Sequence, residues 1–412
     1  MTTVTTTAKE LRKFIEKHAR TCVHKGEGLL PHPFVTPTYD IAAGADDQSL
    51  VPERSLTGHY LQMYDWDACF FSQAAHRIDQ EELPLHVVEN FLALKQEDGY
   101  VPRTISPKRI WDAGDQAKPF LCQTLLAYVE RKAGRETSLT AALLGGLTAY
   151  LEYFIQKRAD QTGLFRWRNV LESGVDDNLA MLAPHEAAKD ENAGTVFPDN
   201  RLLCVDLNSY LVMEFSAMAK LLKKVGDNAA SKWEERAKLL TVAIEEKLWC
   251  PELHMYCNLD PQDNKHVHIK SWTGLLPAIF GMAQPVRSQT VIDANILSPE
   301  QFLRPCGLAS MAASEPLYNQ AKRGLYGRAI VSNWQGPMWI LPNALAARGL
   351  VAQKYHKYAE DIAARVVKTM AAGLDKTGTL FENYNAETGE TLWAPQFMSW
   401  NLLTLELIEL LG

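Results

Sequence analysis

The 412-residue chain has no lysine-rich or arginine-rich run, no Pro/Ser linker, no low-complexity tract and no uninterrupted apolar stretch long enough to span a bilayer. With a formal net charge of −7, the missing basic runs argue against nucleic acid or an anionic membrane as a partner. Met1 to Glu10 contains no apolar segment of the export-leader type, so a cytoplasmic location is expected. The seven cysteines (Cys22, Cys69, Cys122, Cys204, Cys250, Cys257, Cys306) are scattered and form no CxxC pair. That spacing predicts neither a disulfide framework nor a zinc motif. His266 and His268 have the spacing of a metal pair, but no third ligand stands beside them in the sequence. No metal and no other cofactor are expected.

Strand-type alternation is scarce as well, and no βαβ rhythm is present. What the chain does have is helical periodicity, repeated many times. Apolar residues recur on one face over 83–95 (Val87, Val88, Phe91, Leu92), and the pattern returns over 138–157, 206–224, 355–370 and 401–411. Gly373 is read as the C-cap of the fourth of these segments, and Gly336-Pro337 as the opening of another helix. Ten to twelve helices fit this length. Helices joined by hairpins and lacking strands leave a bundle, a solenoid or a closed double ring, and no fixed-period repeat favours the solenoid. Without a linker, residues 1–412 are read as one domain. The longer connections, 31–66, 100–119, 165–201 and 381–395, hold many of the tryptophans and most of the clustered polar residues. Such loops on a helical scaffold suggest a carbohydrate site at one mouth of a ring.

Hydrolysis of a sugar linkage needs two carboxyl groups, flat apolar surfaces for sugar faces and planar polar groups for hydroxyls. Arg166-Trp167-Arg168-Asn169-Val170-Leu171-Glu172-Ser173-Gly174-Val175-Asp176-Asp177-Asn178 carries all of these. Ser-Gly marks a turn that can swing a carboxylate inward, and the closeness of Glu172, Asp176 and Asp177 predicts a raised pKa by like-charge repulsion. The plainer alternative is a solvated acidic turn capping the next helix. Glu382, between Phe381 and Asn383-Tyr384 and just before a turn at Asn385 to Gly389, has the setting of a partly desolvated base. Asp67 sits beside Trp66 at a helix start, where it answers either the helix dipole or two sugar hydroxyls. Asn333-Trp334-Gln335-Gly336-Pro337-Met338-Trp339 sets an amide between two indoles.

Taken together these stretches resemble glycoside hydrolase family 63, and within it the mannosylglycerate and glucosylglycerate hydrolases. The resemblance runs in order along nearly the whole chain. It begins at Leu30-Pro31-His32-Pro33-Phe34-Val35 with the following Tyr39, then takes in Trp66-Asp67, Asp98-Gly99-Tyr100-Val101-Pro102 and the acid loop. Val205-Asp206-Leu207-Asn208-Ser209-Tyr210, also similar to trehalases, comes next, before Trp334-Gln335-Gly336-Pro337-Met338-Trp339 and Glu382-Asn383-Tyr384-Asn385.

The resemblance implies an all-α (α/α)6 barrel, a toroid whose long loops form the active-site mouth, and hydrolysis with inversion. The family's general acid is the aspartate of a Ser-Gly-x-Asp-Asn motif. It maps onto Asp176, although this chain has Asp177 where the family shows Asn, so a slip of one residue would make Asp177 the acid. The general base maps onto Glu382. Tyr39, Tyr64, Trp66, Asp67, Gln116, Asp177, Trp334, Gln335, Trp339 and Tyr384 are the expected sugar-binding residues. A glycerate carboxylate calls for a guanidinium, because arginine matches carboxylate geometry with paired hydrogen bonds. Arg201 is the first choice for this role, with Arg168, Arg166 and Arg103 behind it. The expected substrate is a small α-glycoside, glucosylglycerate or mannosylglycerate, and a homo-oligomer is compatible with the sequence. A trehalase or neutral α-glucosidase on the same scaffold is the competing reading. An inactive sugar-binding toroid and a sugar epimerase stand behind it, the latter lacking histidines in the best motifs.

Overall fold

The computed structural model describes residues 2–41, 59–111, 114–183, 199–321 and 332–412, with side chains from residue 8 onward. Parts of three of the loops expected to form the mouth, 42–58, 112–113 and 184–198, lie outside the described residues. In chain order the α-helices are α1 (Thr2–Ala19), α2 (Asp65–Ala74), α3 (Leu83–Ala93), α4 (Leu121–Arg131), α5 (Ala141–Lys157), α6 (Val170–Ser173), α7 (Leu179–Leu182), α8 (Val205–Lys224), α9 (Ala230–Lys247), α10 (Leu276–Ile279), α11 (Pro285–Val291), α12 (Ile340–Ala352), α13 (His356–Thr377) and α14 (Thr404–Leu410).

Six of these form an inner ring. α2 packs on α4, α4 on α8, α8 on α10, α10 on α12, and α12 on α14 and the 3-10 turn Ser399–Leu403, which returns to α2. Around them α3, α5, α9, α11 and α13 each follow an inner helix in the chain, and α1 completes the outer ring against α13 and α14. This is an (α/α)6 barrel, and a single hydrophobic core runs through it from Ala8 to Ile408.

The two rings differ in pattern for a physical reason. α12 (ILPNALAARGLVA) is buried along Ile340 to Ala347 without an exposed face, as a helix covered on every side requires. α13 buries Ala359, Ile362, Ala363, Val366, Val367 and Met370 and exposes Lys357, Glu360 and Lys368, the 3.6-residue pattern of an outer helix. Each buried Ile or Val on that stripe contributes roughly 1.5–3 kcal/mol relative to exposure.

Two local expectations are corrected. α13 runs through Gly373 to Thr377 and ends at Gly378, whose φ of 72° provides the left-handed C-cap. Gly373 instead allows close packing, since a Cβ there would stand 3.0 Å from the Tyr384 ring. Pro337 does not open a helix, because Met338–Trp339 is drawn into a three-stranded antiparallel sheet with Phe381–Tyr384 and Thr391–Pro395. α12 therefore begins only at Ile340. Glu382 thus lies on a strand, directly beside Asn383, which pairs with Trp339.

Candidate active site

The first turns of the inner helices, and the residues just before them, carry the polar and aromatic side chains of the site. Trp66 and Asp67 lie in the first turn of α2, Trp339 is the N-cap residue of α12, and Ser399 and Trp400 precede α14. With the loops they surround a cavity of about 90 Å³. Its wall includes the carboxylic residues Asp67, Asp176 and Glu382, the indoles of Trp66, Trp334, Trp339 and Trp400, and Arg103.

Asp176 owes its position to a short, heavily fixed turn. Asn169 caps α6 by accepting from Glu172 N at 2.8 Å, and Gly174 ends that helix at φ 76°. A Cβ at Gly174 would fall 2.6 Å from Lys118 Cε and 2.9 Å from Trp66 Cζ2, so both conformation and space require glycine here. The chain then passes Asp176 and Asp177, and Asn178 caps α7 by accepting from Ala180 N. Asp176 Oδ2 accepts a 2.6 Å hydrogen bond from Ser332 Oγ. Burial raises its pKa, while the Ser332 donor and the Arg103 and Lys118 charges pull it back.

Its acidic neighbours do other work. Glu172 is fully buried and accepts from Arg158 Nη2 at 2.5 Å and from Gln116 N at 2.9 Å. Asp177 Oδ1 accepts from Trp334 N at 2.7 Å, and its Oδ2 from Gln335 Nε2 at 3.1 Å. The three acids therefore do not form the mutually repelling cluster expected from their spacing; desolvation is what raises Asp176.

Glu382 is 5% exposed and accepts from the Tyr60 hydroxyl at 3.3 Å. Burial pushes its pKa well above the usual carboxylate range, and the facing Asp67 and Asp176 add to the rise. Asp67, held by Ser399 Oγ at 2.7 Å, is pushed up to about 7, mainly by burial. Behind it Asp65 accepts from Lys118 N at 2.9 Å and forms an ion pair with Lys118 Nζ at 3.0 Å, which keeps Lys118 over the Trp66 ring at 4.9 Å.

The indoles form a connected platform. Trp334 and Trp339 stack with centroids 3.7 Å apart and planes 8° apart, and Trp66 meets Trp400 edge to face at 5.4 Å. Trp334 Nε1, Trp400 Nε1 and Arg103 Nε are buried donors without a partner among the described residues. Hydroxyl oxygens of a ligand are acceptors suited to such donors.

Of the residues predicted from sequence, the structure gathers Asp176, Glu382, Tyr64, Trp66, Asp67, Trp334 and Trp339 on the cavity. Others stand elsewhere in the described structure. Tyr39 is buried with its hydroxyl on Thr379 at 2.6 Å. The Gln116 side chain is taken up by the backbone, accepting from Val101 N at 2.8 Å. Tyr384 is buried with its hydroxyl accepting from Phe381 N. Asp177 and Gln335 bind each other beside the acid turn.

Arg201, the preferred carboxylate partner, is committed to Asp260 through Nε at 2.9 Å and Nη2 at 2.7 Å. Arg168 pairs with Asp115 at 3.6 Å, and Arg166 is also outside the lining. Among the described residues, the arginine on the cavity is Arg103, whose Nη1 donates to Leu171 O. Tyr60, Ser332, Phe397 and Trp400 also line the cavity and were missed. Tyr60 and Ser332 lie in loop segments without any local motif, so only the folded ring brings them to the carboxylates.

Residues 60–400 match the family described as mannosylglycerate hydrolase MGH1-like glycoside hydrolase domain. A mannosylglycerate hydrolase from Rubrobacter radiotolerans is 24% identical over 235 residues, covering 57% of this chain and 50% of that protein. A trehalase from Tenebrio molitor is 20% identical over 390 residues, 80% of this chain and 65% of that one. The chain thus spans about half the length of the mannosylglycerate hydrolase it matches.

Among solved structures, the family 63 mannosylglycerate hydrolase from Thermus thermophilus, in complex with glucose, superposes with a TM-score of 0.69 at 18% identity over 98% of this chain and 99% of that one. The neutral trehalase from Saccharomyces cerevisiae gives 0.65 at 16% identity over 86% and 72%. At these identities the structural likeness speaks for the fold. With the family match extending across most of the chain, the protein belongs to the mannosylglycerate hydrolase-like glycoside hydrolases of family 63.

Proposed function

We propose that the chain is an inverting α-glycosidase that hydrolyses a small α-glycoside, glucosylglycerate or mannosylglycerate, to free sugar and glycerate. The observation that carries this reading is the pair of buried carboxyl groups, Asp176 and Glu382, on one indole-walled cavity that also holds an arginine. Protonated Asp176 gives its proton to the glycosidic oxygen as the bond to the anomeric carbon breaks. Glu382 removes a proton from a water that attacks that carbon from the opposite face. Asp67 grips ring hydroxyls, and Trp334 and Trp339 offer flat surface to the sugar.

Burial lowers the pKa of Arg103, but the carboxylates of Asp65, Asp115 and, behind them, Asp176 outweigh it and raise it. The acid faces the leaving group, so a cation on that side suits an anionic aglycone, and Arg103 takes the role first given to Arg201. A pocket of this size rather than a long groove also favours a small substrate. The buried, free state of all seven cysteines is in keeping with a reducing, cytoplasmic setting.

The productive form carries its proton on Asp176 and none on Glu382. In the substrate-free cavity Glu382 faces two carboxylates while Asp176 faces Arg103 and Lys118, which favours the opposite placement.

Incubation with glucosylglycerate, mannosylglycerate and trehalose separately, with free sugar measured, tests the proposal. Release of hexose from a glycerate conjugate supports it and identifies the sugar. Cleavage of trehalose alone would transfer the chain to the trehalase reading, which the similarity to the Tenebrio enzyme favours. Cleavage of none would overturn the glycerate assignment.

A further inference from the structure

After α9 the chain makes two successive hairpins. Trp249–Cys250 pairs with Met255–Tyr256, and Leu259–Asp260 pairs with Lys265–His266. They bring Cys250 to His266 and His268, so that the thiol sulfur and one nitrogen of each imidazole lie within 4.8 Å of one another. The third ligand absent from the local sequence thus comes from a strand sixteen residues before His266, through the fold.

Three further observations make this more than an accidental cluster. His266 Nε2 lies 2.9 Å from Lys247 O. A carbonyl can only accept, so Nε2 carries the proton and Nδ1 keeps its lone pair. That is the arrangement by which metal-binding histidines are oriented through their other nitrogen. Glu252 Oε2 stands 3.3 Å from Cys250 Sγ, and the Cys257 thiol hydrogen-bonds to that of Cys250. Two more donors are therefore at hand for a fourth position. Cys250 is buried, His266 half-buried and His268 exposed, which gives a closed inner side and a path from solvent.

We propose that Cys250, His266 and His268 bind a zinc ion, with Glu252 or Cys257 completing a tetrahedral set. A thiolate combined with imidazoles suits zinc, and four-coordinate sites of mixed sulfur and nitrogen are its usual structural form. Binding releases the Cys250 proton to solvent.

The ion ties together two hairpins that brace the acid turn from outside. Asn258, between them, accepts from Val205 N at the start of α8 and donates to Ala180 O in α7. The site stands apart from the cavity, so its role is to stabilise this wall, and turnover does not depend on its ligands.

The test uses the full chain without a histidine tag, reduced, stripped with a chelator and titrated with Zn²⁺ or Co²⁺. The expected result is one ion per chain and a thiolate-to-cobalt charge-transfer band in the near ultraviolet. Zinc at about 100 times its Kd should also raise Tm by several degrees. Cys250→Ser removes the band. His268→Ala, at an exposed position that leaves folding intact, weakens binding at least about tenfold, the effect of losing roughly 1.4 kcal/mol, with hydrolysis unchanged. Weakened Co²⁺ binding in Cys257→Ser but not in Glu252→Gln, or the reverse, identifies the fourth ligand while supporting the site. Absence of the band, zinc binding unchanged in His268→Ala, or a Cys250–Cys257 disulfide in protein kept under reducing conditions would overturn the proposal.

Discussion

Ser332 Oγ donates a 2.6 Å hydrogen bond to Oδ2 of Asp176, joining positions 156 apart in the chain. The bond favours the ionised carboxylate and so holds down a pKa that burial raises. Ser332→Ala removes the donor, and the Asp176 pKa rises further. With Asp176 as the proposed acid and Glu382 as the proposed base, whose pKa its carboxylate neighbours raise, the acidic limb of kcat/KM against pH is assigned to Asp176. That limb is expected to move upward in the variant. Movement of the basic limb instead would assign the higher pKa to Asp176.

Arg103→Met removes the guanidinium on the cavity while keeping much of its bulk. A charge-assisted pair to a carboxylate is worth about 1.5–3 kcal/mol, so kcat/KM for a glycerate glycoside falls roughly 10- to 100-fold. An uncharged glycoside of the same sugar should lose far less. Equal loss on both would make Arg103 a support for the Leu171 carbonyl rather than a substrate contact, and a Tm measured alongside separates misfolding.

Gly174→Ala forces a side chain into a left-handed backbone and against Lys118 and Trp66. Strain plus overpacking costs on the order of 1–3 kcal/mol. The acid turn is displaced, and activity drops more than the Tm alone would suggest. Wild-type turnover would mean that the turn relaxes without moving Asp176.

Glu214 tests the electrostatics of the core away from the cavity. Its carboxylate is buried and accepts from Cys122 N and Gln123 N at 2.9 Å each, at the start of α4. Burial pushes its pKa from 4.5 to about 7. The folded state thus binds more protons than the unfolded one across that interval, so its contribution is complete below pH 4.5 and is lost as pH rises through 7. Glu214→Gln removes this slope. The stability difference, variant minus wild type, is expected to climb by on the order of 3 kcal/mol between pH 4.5 and 7 and then level off. A flat difference in denaturant melts across that range would contradict the shift.

The ring was legible because helix periodicity survives in each segment, from the fully buried α12 to the one-sided α13. The two carboxylates stood out because each lies in a stretch of sequence dense with turn and aromatic residues, although the stretch around Glu382 folds as a strand. Sequence could not separate the residues that touch the cavity from those that hold the touching ones. Asp177 and Gln335 stand beside Asp176 and Trp334 in the chain, yet they bind each other. Arg201 lies in the right loop, but Asp260, brought in by a later hairpin, takes it. Ser332, Tyr60 and Cys250 gain their significance from contacts made across the ring, between hairpins or across long loops, which no local pattern records.

The most direct test of the central claim is the time-resolved NMR spectrum of the first-formed sugar from a glycerate α-glycoside, for the wild type and for Glu382→Gln. Inverting hydrolysis through Asp176 and Glu382 gives the β-anomer first, with mutarotation following, and the variant loses about 10²- to 10⁴-fold in kcat, the usual contribution of a general base. First appearance of the α-anomer, or near-wild-type turnover by Glu382→Gln, would contradict it.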